Sequence, residues 1–208
     1  MHKTSIQLFS FLLTLSFAFF FCERAQASSW DKDIKKAETY LKNLKTARAD
    51  FIQKSSEGPR LSGIFYLNRP GRLRFEYNEV DDFIVADGFF LYFYDAELKE
   101  QTHTPIGLSL ADFLLRSDLE LAGDITVQDV NKNTDRTVLT LVQTDNPEEG
   151  SLQLFFSHIP YALKKWRVID PQGITIEVEL KDMEKDIGLS SSLFAYHDPN
   201  KAKNAYNE

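Results

Sequence analysis

Very little in this chain has the type and spacing of residues that break or make bonds. Gly-x-Ser-x-Gly, Cys-x-x-Cys, His-Glu-x-x-His and a phosphate-cradling glycine loop do not occur. His103, His158 and His197 each fall at a strand end or turn, where a solvated or hydrogen-bonded imidazole is the ordinary reading, and no metal site is expected from them. Asp81-Asp82 and Glu148-Glu149 read as solvated loop charge rather than as acid-base pairs. Arg69 is of another kind. It ends the apolar run Ile64 to Leu67, and Pro70 fixes the backbone φ beside it, so a planar guanidinium is held in a defined place. Its chemistry is recognition, through hydrogen bonds to a partner or pairing with a carboxylate such as Glu76. No enzyme activity and no cofactor follow from these residues.

The elements that must position Arg69 are two strands. Gly63 to Tyr77 predicts a hairpin: Asn68 to Gly71 supply the turn, and Leu73, Phe75 and Tyr77 alternate with Arg72, Arg74 and Glu76. Upstream, Trp30 to Lys45 places Ile34, Ala37, Leu41 and Leu44 at helical spacing, with Ser28 or Ser29 as cap, and a strand follows from Thr46. Downstream, Phe83 to Ala86, a primed Asp87-Gly88 turn and Phe89 to Tyr94 predict a second hairpin. The second strand of that hairpin is apolar on both faces, so both are expected to be covered. Leu98 to Thr104 reads as a polar strand. Pro105 to Gly123 then breaks the pattern with a short helix whose face carries Leu110, Phe113 and Leu114, a candidate lid. Further strands are expected at Ile125 to Asn131, Thr137 to Gln143, Leu152 to Ser157, Ala162 to Ile169, Ile174 to Leu180 and Leu193 to His197, before a polar tail from Lys201.

Eleven or twelve short strands with helical insertions predict a mainly β chain, one curved antiparallel sheet forming an unclosed barrel with helices over its mouth. The 17 Phe, 8 Tyr and 2 Trp exceed what a thin sheet needs, so its concave face either packs solid or encloses an apolar cavity. Lys164, Lys165, Glu177 and Glu179 interrupt the lipid-facing band that an outer-membrane barrel would require.

Residues 1–27 read as a cleaved signal peptide. Lys3 is the basic start, Ile6 to Phe21 is an apolar run shorter than the ~20 residues of a spanning helix, and Ala25-Gln26-Ala27 is the cleavage site. Phe21 before Cys22, the only cysteine, argues against acylation there. A single domain over residues 28–208 in the periplasm is expected, a monomer with no disulfide. The net charge of −7 argues against nucleic acid and anionic membranes.

Along this length the chain resembles the LolA family of periplasmic lipoprotein carriers. The residues that carry the resemblance are Ala49 to Gln53, Gly63 to Phe75 with Arg69-Pro70, Ile84 to Gly88 followed by Leu91 to Asp95, the Asp170 to Gly173 turn, and Leu193-Phe194 in a final strand. The resemblance implies an apolar cavity that receives the acyl chains of lipoproteins. An inner-membrane, ATP-driven (ABC-type) releasing complex would supply them, and an outer-membrane acceptor would take them. It also implies that Arg69 latches the lid through backbone carbonyls. The cavity is expected to be lined by Phe51, Phe65, Leu67, Leu73, Phe75, Leu91, Phe93, Leu110, Phe113 and Leu114. The other reading is a periplasmic β-sheet binding or scaffold module with a packed interior and no lipid cargo.

Overall fold

Apolar side chains at every second position, separated by short turns, put most of this chain into a single sheet. The computed structural model describes residues 20–108 and 112–204. The chain divides into two compact units, Met1–Lys36 and Ala37–Glu208. Helix α1 (Phe20–Asn43) contributes to both, and in the second unit it buries Ala37 and Leu41. It begins well before the expected Trp30, since nothing between Phe20 and Trp30 is a proline or glycine that would stop it.

Eleven strands follow: β1 (Thr46–Ser55), β2 (Leu61–Asn68), β3 (Arg72–Tyr77), β4 (Phe83–Asp87), β5 (Phe90–Asp95), β6 (Glu100–Pro105), β7 (Ile125–Lys132), β8 (Arg136–Gln143), β9 (Ser151–His158), β10 (Tyr161–Ile169) and β11 (Thr175–Lys185). They form one antiparallel sheet in the order β6-β5-β4-β3-β2-β1-β11-β10-β9-β8-β7. The sheet is not closed. Its two edges, β6 and β7, are consecutive in sequence, so residues 106–124 run from one free edge to the other. Those residues contain a 3-10 turn (Ile106–Leu108) and the four-residue helix α2 (Asp112–Leu115).

The sheet is strongly curved. Phe75 on β3 and Trp166 on β10 are four strands apart, about 19 Å across a flat sheet. Their ring centroids are nevertheless 6.2 Å apart. Register explains which residues meet inside. Ala49, Phe65, Phe75, Ile84 and Phe93 form one cross-strand row, and Ala47, Leu67, Leu73, Ala86 and Leu91 the next. On the other half of the sheet, Gln53, Val178, Trp166 and Leu154 continue one row, and Ile176, Val168 and Leu152 another.

Phe51 lies over Gly63, its partner across the β1–β2 ladder. A Cβ at Gly63 would lie 2.8 Å from the Phe51 ring and 1.9 Å from the carbonyl oxygen of Glu76. Gly63 therefore lets two neighbouring strands and a large ring approach together.

Three expectations need correction. Leu193 to His197 is not a strand. Ser190 caps a 3-10 turn (Ser191–Phe194), its hydroxyl accepting from the Ser192 amide, and this turn buries Phe194 against β3 and β4. The polar tail begins within a short helix, α3 (Pro199–Asn204). The second hairpin turns at Gly88 and Phe89, one residue late, because Asp87 Oδ1 accepts from the amides of both Phe89 and Phe90. Phe89 at its tip is 79% exposed, so the apolar stretch from Phe89 is not covered throughout. The outer face of β5 is covered in part by the C-terminal segment, where Tyr196 stacks on Tyr92 at 4.5 Å.

Gly63→Ala should destabilise the second unit by about 2–3 kcal/mol, because its Cβ meets backbone that can move only by distorting the β2–β3 ladder. Urea unfolding measures the change.

Candidate functional site

Arg69 leaves the β2–β3 turn and is buried. One guanidinium nitrogen donates to the Leu41 carbonyl near the end of α1, and the other donates to the Arg116 carbonyl at 2.6 Å, just past α2. Helix ends leave their last carbonyls without intrahelical partners, and a cation there also meets the negative end of the peptide dipoles. Arg69 therefore joins two such ends with one planar group. Two backbone bonds flank it: the Arg69 amide donates to Lys45 O at 2.8 Å, and the Gly71 amide donates to Leu115 O at 2.9 Å. Gly71 is confined to glycine there, with φ at +77° and the Gly88 Cα 2.9 Å from where a Cβ would stand.

Among the described residues Arg69 has no carboxylate partner. Glu76, the alternative partner, instead accepts from Arg74 at 2.7 Å. Burial lowers the Arg69 pKa from its ordinary value, but a guanidinium stays charged at any physiological pH. Its positive charge is met by carbonyl dipoles alone.

Beneath this junction lies a cavity of about 410 Å³, within the usual range of roughly 300–1,000 Å³ for small-molecule sites. Leu73, Phe75, Leu91 and Phe93 line it from the sheet, and Phe113 and Leu114 from α2. Leu110 lies outside the described residues. Phe51, Phe65 and Leu67 do not line the cavity. They are packed to 1% exposure or less behind its wall, where the Phe51 and Phe65 rings meet Phe75 at 5.2 and 4.9 Å. Sharing a face with Leu73 and Phe75 did not place them at the surface of that face, because they sit closer to where the sheet folds over itself.

The far wall was not anticipated. It comes from Leu152, Trp166, Val168, Ile176 and Val178, with Ile84, Tyr77 and Gln53 on the near side. A register shift between Leu163 and Lys165 breaks the alternation of β10, so buried Leu163 and Trp166 stand three apart and the strand gives no clean period of two. The two polar wall residues satisfy each other, Tyr77 donating to Gln53 Oε1 at 3.1 Å. Further along the segment between β6 and β7, the Leu121 amide donates to Glu38 Oε1 of α1 at 2.8 Å.

This is a pocket for apolar matter under a segment held at its backbone. The described residues contain no cluster of three or more His, Cys, Asp or Glu side chains able to hold a metal ion. Comparison with known proteins adds a family. The profile of the family described as outer membrane lipoprotein carrier protein LolA matches residues 42–197. The chain belongs to the LolA family. Outer-membrane lipoprotein carrier proteins of Legionella pneumophila (strain Paris) and Methylococcus capsulatus are 30% and 26% identical to it. Each alignment covers 78% of this chain, and 84% and 82% of the respective relative. Among solved structures, a LolA superfamily protein from Nitrosomonas europaea aligns with a TM-score of 0.45 and 10% identity, over 78% of this chain and 97% of that one. Within this LolA-family fold, Arg69 and the six cavity residues named above are brought to one place by the β2–β3 turn, two strands (β3 and β5) and α2.

The cavity wall has its own titration. Burial, reinforced by the charge of Asp82, pushes the Tyr77 hydroxyl up to about 12. A raised folded-state pKa gives stability that is complete below the ordinary tyrosine value near 10 and is lost as pH rises from there through about 12. Unfolding followed between pH 9 and 12 should show this loss, and Tyr77→Phe should reduce it.

Proposed function

We propose that this chain is a periplasmic carrier of acylated proteins, performing no chemistry on its cargo. In this reading residues 1–27 are removed after export, cleavage falling after Ala27. The remaining chain works as a monomer, taking lipoproteins from an inner-membrane ABC-type releasing complex and handing them to an acceptor at the outer membrane. The observation that carries the reading is the apolar cavity beneath a segment whose Arg116 carbonyl is gripped by Arg69. A packed scaffold module would have no use for a cavity of that size or for a buried guanidinium met by carbonyls rather than a carboxylate. The family name of the relatives supports the same choice.

The physics of such a carrier is a problem of release. Each buried methylene contributes about 0.8 kcal/mol, so complete burial of one ~16-carbon chain would gain on the order of 12 kcal/mol. Cargo entry here displaces α2, which exposes Phe113 and Leu114 and breaks the bonds from Arg69 and Gly71. The Arg69 bonds each contribute about 1.5–3 kcal/mol. Binding is weakened by that amount, and closure favours expulsion.

Two measurements test the reading. A fluorescent fatty-acyl probe should bind with energy transfer from Trp166, and an acylated peptide should compete while its unacylated form does not. Competition by both forms alike would favour the scaffold reading. Loaded with the same lipoprotein, Arg69→Leu should hold it longer than wild type and pass it to acceptor membranes at least about tenfold more slowly, the equivalent of losing one charged hydrogen bond. Arg69→Lys should fall between, lacking the planar fork. Transfer at the wild-type rate in Arg69→Leu would return Arg69 to a structural role.

A further inference from the structure

Arg116 takes part in the junction twice. Its carbonyl accepts from Arg69, as described above, while its side chain points the other way, toward the free edge of the sheet. There Nη1 and Nη2 donate to Asp124 Oδ1 and Oδ2 at 2.9 and 2.8 Å, a bidentate pair, and Nη2 also donates to the Asp112 carboxylate in the first turn of α2. The Arg116 amide closes the helical turn onto Asp112 O at 2.8 Å. Asp124 immediately precedes β7, the edge strand onto which the lid segment runs.

A solvated arginine would leave its carbonyl free to wander with the end of a four-residue helix, which has few hydrogen bonds of its own to hold it. Here the guanidinium is only 19% exposed and fixed by two carboxylates. Fork-to-fork pairing with Asp124 restricts orientation as well as distance. The Cα of Arg116, and with it the carbonyl aimed at Arg69, is therefore held by the sheet edge from one side and by the β2–β3 turn from the other.

We propose that Arg116 is a positioning residue of the lid: its clamp on Asp124 and Asp112 presents the carbonyl that Arg69 grips, so the lid is fastened at two linked points and opening at one loosens the other. The inference rests on reading the described residues 112–124 as part of a lid. The ionic state of the clamp fits it, since the bonds from Arg116 hold the Asp124 carboxyl below the ordinary carboxylate value. Asp124 is 67% exposed, so the clamp is open to screening by salt, whereas the buried Arg69 bonds are not.

Amide hydrogen exchange tests this without cargo. The Gly71 amide bonds to Leu115 O of α2, so its exchange reports separation of lid from turn. Arg116→Gln and the milder surface change Asp124→Asn should each raise Gly71 exchange about tenfold, leaving the amides of the β10–β11 ladder unchanged, with Arg116→Lys between. High salt should accelerate Gly71 exchange in wild type but not in Asp124→Asn. Combining Arg116→Gln with Arg69→Leu should add less than the sum of the two, because both act on one bond. Unchanged Gly71 exchange in both clamp variants, or a rise matched throughout β10 and β11, overturns the proposal and leaves the carrier reading untouched. Selective Gly71 exchange in a protein that fails to transfer lipoprotein would keep the clamp and remove the carrier.

Discussion

Burying a guanidinium without a carboxylate is costly, and in this molecule the surrounding architecture serves to make that possible. Two helix ends arrive at Arg69 with terminal carbonyls, that of Leu41 shared with the Leu44 amide, and the β2–β3 turn delivers the side chain between them. Carbonyls differ from a carboxylate in what happens on separation. Breaking a buried ion pair strands a full charge of each sign, typically at about 3–5 kcal/mol. Parting Arg69 from the Arg116 carbonyl leaves a dipole that water satisfies readily, while the guanidinium keeps its bond to Leu41. An opening element needs that asymmetry.

The same economy appears in the sheet. Closing the barrel would remove both edges but also the gap through which a ligand could enter. Here the gap is kept, and the segment joining β6 to β7 crosses it, so the chain's own connectivity supplies the cover. The edges left free are mostly polar and exposed along β6 and β7. That composition disfavours pairing with a second chain while the apolar interior lies close by. Phe113 and Leu114 of α2 meanwhile complete the cavity wall.

Much of this was legible in the sequence because strand alternation and turn chemistry are local. The β2–β3 hairpin, its turn and the break after β6 all follow from residues within a few positions of one another. What was not legible depends on curvature. Whether Phe65 lines a cavity or lies behind its wall is decided by how closely β10 approaches β3, which no local period encodes, and the bulge at Leu163 to Lys165 hid Trp166 as a wall residue. The Leu193 to His197 segment misled for another reason. An apolar and aromatic run suits a strand or a packed turn equally, and the Ser190 cap together with a pocket for Phe194 chose the turn. Arg69 was found from its place at a strand end, but its two partners are backbone carbonyls 28 and 47 residues away, invisible to any pattern of side chains.

Strength of grip and ease of release are set by different parts of this structure. On the carrier reading, a gain on the order of 12 kcal/mol would correspond to nanomolar retention if nothing opposed it, whereas about 8 kcal/mol corresponds to micromolar. Parting Arg69 from the Arg116 carbonyl and Gly71 from the Leu115 carbonyl would supply roughly 2–4 kcal/mol of that difference. Enlarging the cavity would not supply it, since added apolar wall strengthens both capture and retention. A polar contact that must break for entry acts only against the bound state. On the same reading, the residue proposed to govern release lies outside the cavity, at a junction that acyl chains need never touch, and one of its bonds runs to the backbone of the segment that would move.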